Sequence, residues 1–119
     1  MDVCFISDDG VRSCAATELT ELLDRPDGLV WVDIPTWDDQ AHETLTTVFG
    51  FHPLAVGDSM NRNQVPKVHR YVDHFFVVLH APQSGAHGHV HYVELDQFIG
   101  ARYLVTVHGP VNPAIDPST

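Results

Sequence analysis

Apolar and polar positions fall into short blocks along this chain, and the period changes from block to block. Residues 3–7 and 11–15 read as strands on either side of Asp8-Asp9-Gly10, a hairpin signal. If that loop is three residues long, Ser7 faces Val11 and Cys4 faces Cys14. Residues 17–23 read as a short helix stopped by Pro26 and Gly28, and residues 29–34 as an apolar strand bounded by Pro35. The best-defined helix follows. Thr36 is its candidate N-cap, with Asp39 three residues on as a capping box. Trp37, Ala41, Leu45, Val48 and Phe49 then line one stripe at i, i+4, i+8, i+11 and i+12, with His42 and Glu43 off it.

Gly50 stands where a left-handed residue ends that helix, and Pro53 where a missing N–H does no harm in the first turn of the next. Residues 67–71 and 75–81 read as strands around Val72-Asp73-His74. Residues 90–99 and 103–107 form another hairpin around Gly100-Ala101-Arg102. Hairpins supply antiparallel pairs and helical crossovers supply parallel ones. The pattern therefore predicts an α/β domain with a mixed sheet. Residues 1–113 read as one domain, and 114–119, in a Pro-rich tail, as the start of a linker.

Composition narrows the function. The chain is 44% hydrophobic and 18% charged, ordinary for a globular domain. Sixteen acidic residues oppose six basic ones, a net charge of −10, so no nucleic-acid footprint exists and anionic lipid would not attract this surface. Solubility is the plain reading of that charge, although acidic surfaces also draw cations. The longest clean apolar run, Phe75-Phe-Val-Val-Leu79, is far short of the ~20 residues a membrane helix requires. The acidic N-terminus, with no base before Arg12, does not read as a signal peptide. Two cysteines opposite each other can bridge or pack as free thiols, and a cytosolic location keeps them reduced.

The order Phe49, Gly50, His52, Pro53, Leu54, Asp58, Asn61, Gln64, Pro66, Lys67, Val68, Tyr71, Asp73 and Phe76 closely resembles a phrase of the cytoplasmic domain of the CorA family of divalent-cation (magnesium/cobalt) transporters. Trp31-Val-Asp-Ile before it and Phe98-Ile-Gly-Ala-Arg-Tyr-Leu-Val-Thr-Val-His108 after it extend the resemblance over residues 29–113. The resemblance implies a mixed sheet between helical layers. It also implies a soluble piece of an integral membrane protein at the cytoplasmic face, and a homopentamer when intact. The family's helical stalk, two membrane spans and Gly-Met-Asn pore motif do not occur in these residues. As a separate piece the chain is expected to be a monomer or weak dimer. The zinc transporters of the ZntB type are close relatives and remain an alternative.

Under that resemblance Asp58 corresponds to a regulatory carboxylate that shares a bound Mg²⁺ with an acid on a neighbouring subunit's stalk. Two carboxylates across an interface repel, and a hard cation that prefers oxygen ligands offsets the repulsion. Here Gly57 stands where relatives often carry a second acid, and the partner acid lies outside the chain. Other ions, Co²⁺, Ni²⁺ or Zn²⁺, are not distinguished, because the selecting pore is absent.

His87, His89 and His91 sit two apart, so a strand would set them on one face as ligands for Zn²⁺, Ni²⁺ or Co²⁺. With Glu94 they also resemble the first half of a cupin metal motif, whose second half is lacking. A stand-alone metal-binding protein is therefore a further alternative, and a solvated loop among Gly85, Ala86 and Gly88 the plainer one. His52 is expected to hydrogen-bond backbone at the helix start, and Lys67 to pair with Asp73 or Asp33. No nucleophile–base pair and no phosphate loop appear, so the reading is a non-enzymatic protein.

Overall fold

The computed structural model describes residues 1–60, 66–84, 88 and 90–108. Seven strands form one sheet: β1 (Asp2–Ser7), β2 (Gly10–Cys14), β3 (Gly28–Ile34), β4 (Lys67–Arg70), β5 (Phe75–Ser84), β6 (Val90–Ile99) and β7 (Tyr103–Val107). Their order across the sheet is β2-β1-β3-β7-β6-β5-β4, and every neighbouring pair is antiparallel except β3 with β7. The mixed sheet predicted from hairpins and crossovers is thus the sheet observed.

Three helices accompany it: α1 (Leu19–Leu23), α2 (Asp39–Glu43) and α3 (Pro53–Met60). Their buried residues Leu19, Leu22, Ala41, Ala55 and Val56, with Leu45 just past α2, join Val3, Phe5, Val30, Val32, Ile34, Phe76, Val78, Phe98, Val105 and Val107 of the strands in one core. All these strand residues share one side of the pleat, so the described helices cover one face of the sheet.

The first hairpin differs from its expected register. Ser7 pairs with Gly10, which leaves a two-residue turn and Gly10 at φ +114°, a value only glycine adopts freely. Cys4 therefore faces Ser13, and Cys14 faces Val3. A one-residue slip moves a side chain to the other face, so the two thiols lie on opposite sides of the sheet and are free.

The second correction concerns α2. Its N-cap is Asp38, not Thr36: the Asp38 carboxylate accepts the Ala41 N–H at 2.7 Å from extended backbone. Trp37 then lies just outside the helix and meets His42 edge-on at 6.2 Å, the contact of a staple across the first turn. Beyond Glu43 the helix widens to i→i+5 bonding over Thr44–Val48, with Phe49 N–H donating to Thr44 C=O at 3.1 Å. That extra residue rotates the stripe. Thr44 and Leu45 are buried, and Val48, expected inside, is exposed.

Candidate functional site

The junction between the widened helix and α3 is built by backbone chemistry. Gly50 at φ +67° reverses the chain, and Phe51 N–H closes onto Leu45 C=O at 3.0 Å. Pro53 opens α3 as expected, and His52 Nδ1 accepts the Leu54 N–H at 3.1 Å, the backbone role assigned to it from sequence. Phe51 is driven into the core, stacking on Phe98 at 4.3 Å and on Phe49 at 5.0 Å.

Against this junction sits the turn between β4 and β5, closed by Tyr71 N–H to His74 C=O at 2.8 Å. His52, His69 and His74 all lie on the Tyr71 ring, at 5.1, 4.5 and 4.9 Å between centroids. His74 also packs 4.7 Å from Phe51. Phe49, His52, Tyr71, Asp73 and Phe76 of the family phrase therefore meet around one aromatic cluster. Aromatic pairs of this kind contribute about 0.5–1.5 kcal/mol each beyond area burial.

Asp73 accepts from His74 Nδ1 at 2.7 Å, and that hydrogen bond holds the Asp73 carboxyl below its usual range. A carboxylate only accepts, so the proton sits on Nδ1. His74 Nε2 is buried with no hydrogen-bond partner among the described residues. An acid–imidazole pair whose far nitrogen is sealed in the core cannot hand a proton to a bound molecule, so this pair is not a catalytic base. Asp73 borders shallow clefts of about 320, 290 and 210 Å³. Burial pushes the phenol of Tyr103, which lines one of them, up to about 12, with the charge of Asp73 adding to the shift.

Asp58 lies within α3, four positions after the exposed Leu54. His91 falls in β6 opposite Gln83, whereas His87 and His89 lie outside the described residues. Among the described residues no group of three or more His, Cys, Asp or Glu side chains could hold a metal ion. The carboxylates expected for Lys67 are taken by histidines: Asp73 by His74, and Asp33 by His108 at 3.0 Å. Lys67 lies 6.0 Å over the Phe76 ring and is engaged by a further group as well.

Of the two acidic residues of β6, the sequence reading weighed Glu94 only as part of a metal motif and passed over Asp96. Glu94 and Asp96 on β6 are fully buried on the covered face, opposite His80 and Val78, and both are engaged by other groups. The signal was present, since Glu94, Asp96 and Phe98 share the parity of a core strand.

The opposite face carries a different feature. Phe75 pairs with Ile99, Ile99 with Leu104, and Leu104 with Trp31, a row of apolar side chains across four strands. Phe75 and Leu79 are 44% exposed, Trp31 39% and Ile99 38%. No helix among the described residues is long and apolar enough to cross a membrane.

Comparison with known proteins matches these features to one family. The family model described as "CorA-like Mg2+ transporter protein" matches residues 26–117. A Bacillus subtilis (strain 168) protein named as a metal ion transporter, YfjQ, is 33% identical over 96 residues, 80% of this chain and 29% of its own length. Among solved structures, the full-length CmaX protein superposes with a TM-score of 0.76 at 15% identity, covering 97% of this chain and 36% of CmaX. The complete CorA magnesium transporter of Methanocaldococcus jannaschii gives 0.68 at 15% identity, over 92% of this chain and 32% of that one. The soluble domain of the same transporter gives 0.63, over 92% of this chain and 41% of the other. At that identity the structural likeness establishes the fold, and this chain spans about a third of the length of the full-length relatives. With the family model matched over most of its residues, the chain belongs to the CorA-like Mg2+ transporter family.

Proposed function

We propose that this chain is the cytoplasmic regulatory domain of a CorA-type transporter of Mg²⁺, with Co²⁺ as a second ion, and that it catalyses no reaction. It binds divalent cations between subunits of a homopentamer, and the bound ion favours the closed pore. The observation that carries the reading is the family match over residues 26–117. The open apolar row on the sheet supports it, because a face of Phe75, Leu79, Ile99 and Trp31 calls for cover by further polypeptide. In this reading the second helical layer expected from the resemblance supplies that cover.

Asp58 is the residue proposed to hold the ion, from its place in the phrase and in α3. Its partner acid belongs to the longer protein. An ion that binds the closed arrangement more tightly stabilises it by that difference in affinity. The test is ion flux by the full-length protein and its Asp58→Ala variant across a Mg²⁺ titration. Closure of the variant should need several-fold more Mg²⁺, since the ion loses one of two acidic anchors. Closure at the wild-type Mg²⁺ concentration contradicts the assignment. The isolated chain should bind Mg²⁺ only at millimolar strength, because a single carboxylate cannot replace the water shell of that ion.

A further inference from the structure

The open face holds one polar line among its apolar residues. Trp31 Nε1–H donates to Thr106 Oγ1 at 3.0 Å, and the Thr106 hydroxyl donates to Asp33 Oδ1 at 2.6 Å. His108 Nε2 lies 3.0 Å from the same carboxylate. Asp33 can only accept, so His108 carries its proton on Nε2, and the order of donors and acceptors along the line is fixed. These four residues fall within the two sequence pieces that flank the family phrase, Trp31-Val-Asp-Ile and Phe98–His108. The fold makes them neighbours by pairing β3 with β7 in parallel, Trp31 beside Leu104 and Asp33 beside Thr106.

His108 lies one residue beyond β7. Its backbone N–H donates to Ile34 C=O at 3.0 Å, so the ladder continues one rung past the strand. The residue is therefore held to β3 twice, by backbone and by side chain. Strand ends ordinarily open locally at little cost, because few contacts oppose it. Here a carboxylate that also grips Thr106, itself largely buried, opposes the opening.

We infer that Asp33 is a positioning residue that holds His108, one residue past β7, against β3. His108 is thereby tied to the only parallel pair of the described sheet, and the end of β7 moves with β3 as one body. This inference does not rest on the transport reading, since it concerns the geometry of the sheet alone.

The experiment is amide hydrogen exchange and imidazole ¹⁵N spectroscopy on the 119-residue chain at pH 8, above the ~6.5 reference pKa of histidine. In the wild type the His108 ring should show the Nε2–H tautomer. Asp33→Ala should speed exchange of the His108 amide about tenfold or more while leaving the Val3 and Phe5 amides of β1 within about twofold, the mark of local rather than global opening. Asp33→Asn can keep Thr106 on its oxygen while turning its NH₂ toward the ring. It should switch His108 to the Nδ1–H tautomer and restore most of the amide protection. An unchanged His108 amide in Asp33→Ala overturns the inference, and so does equal acceleration at His108 and in β1. Should Asp33→Ala fail to fold, an Nε2–H tautomer persisting in Asp33→Asn overturns it independently.

Discussion

Phe98 and Ile99 are neighbours on β6, and the pleat sends them to opposite sides of the sheet. Phe98 belongs to the row Phe76, Phe98, Val105, Val32 and Val3, which crosses five strands with no member more than 3% exposed. Ile99 belongs to the row Phe75, Ile99, Leu104 and Trp31, built from residues just as apolar and left 38–44% exposed at Phe75, Ile99 and Trp31. The start of β5, Phe75-Phe-Val-Val-Leu79, and most of β3 do not alternate apolar with polar, as a sheet with one wet face would, but read as apolar runs, the pattern of strands covered on both faces. Composition thus encodes two covers, of which the described helices provide one.

The largest effect should come from the covered row. Phe98→Ala removes a ring that stacks on Phe51 and packs on Phe76 at 4.8 Å, and should cost about 3–5 kcal/mol of folding stability, read from the denaturant midpoint. Its neighbour supplies the contrast. Ile99→Ser in the isolated chain should change stability by no more than about 0.5 kcal/mol, the range of surface substitutions. Equal losses at the two positions would break the comparison.

A smaller effect tests the end of the sheet where covered and open regions meet. Tyr103 is half-buried there, and its phenol is raised from 10.0 to about 12. The neutral form is the one favoured by folding, so this contribution is fully present below pH 10 and is lost as pH rises toward 12. Phenolate absorbance should show one tyrosine ionising well above pH 10, and Tyr103→Phe should remove that transition. A titration of all three tyrosines near pH 10 would place Tyr103 in water.

Much of this was legible in the chain. The four strands of the two later hairpins, the turn at Gly50 and the start at Pro53 follow from local chemistry that tertiary structure had no reason to override. What failed did so for identifiable reasons. Thr36 and Asp38 are both good caps by residue type, and the Asp38 carboxylate is the one that takes the Ala41 N–H, with Trp37 packed against the core just before the helix. A loop of two or three residues around Asp8 and Asp9 uses the same letters, yet the choice moves Cys4 and Cys14 to different faces. A periodic stripe cannot show a widened turn, so Val48 was placed inside. Of the candidate site, the family phrase located the turn at Gly50 and the start of α3 at Pro53, and the role of Asp58 is a proposal. The aromatic stack around Tyr71 joins residues too far apart in sequence for spacing to reveal, and the Asp33–His108 contact spans 75 positions.

Under the proposed function, the open row is an interface buried in the full-length protein. The most direct measurement is the rate of maleimide labelling of Leu79→Cys, in a background carrying Cys4→Ser and Cys14→Ser. In the 119-residue chain the thiol should react at nearly the rate of a free cysteine, because Leu79 is 44% exposed. In the full-length protein the rate should fall by about tenfold or more, as covering polypeptide excludes the reagent. Equal rates in the two proteins would contradict the claim.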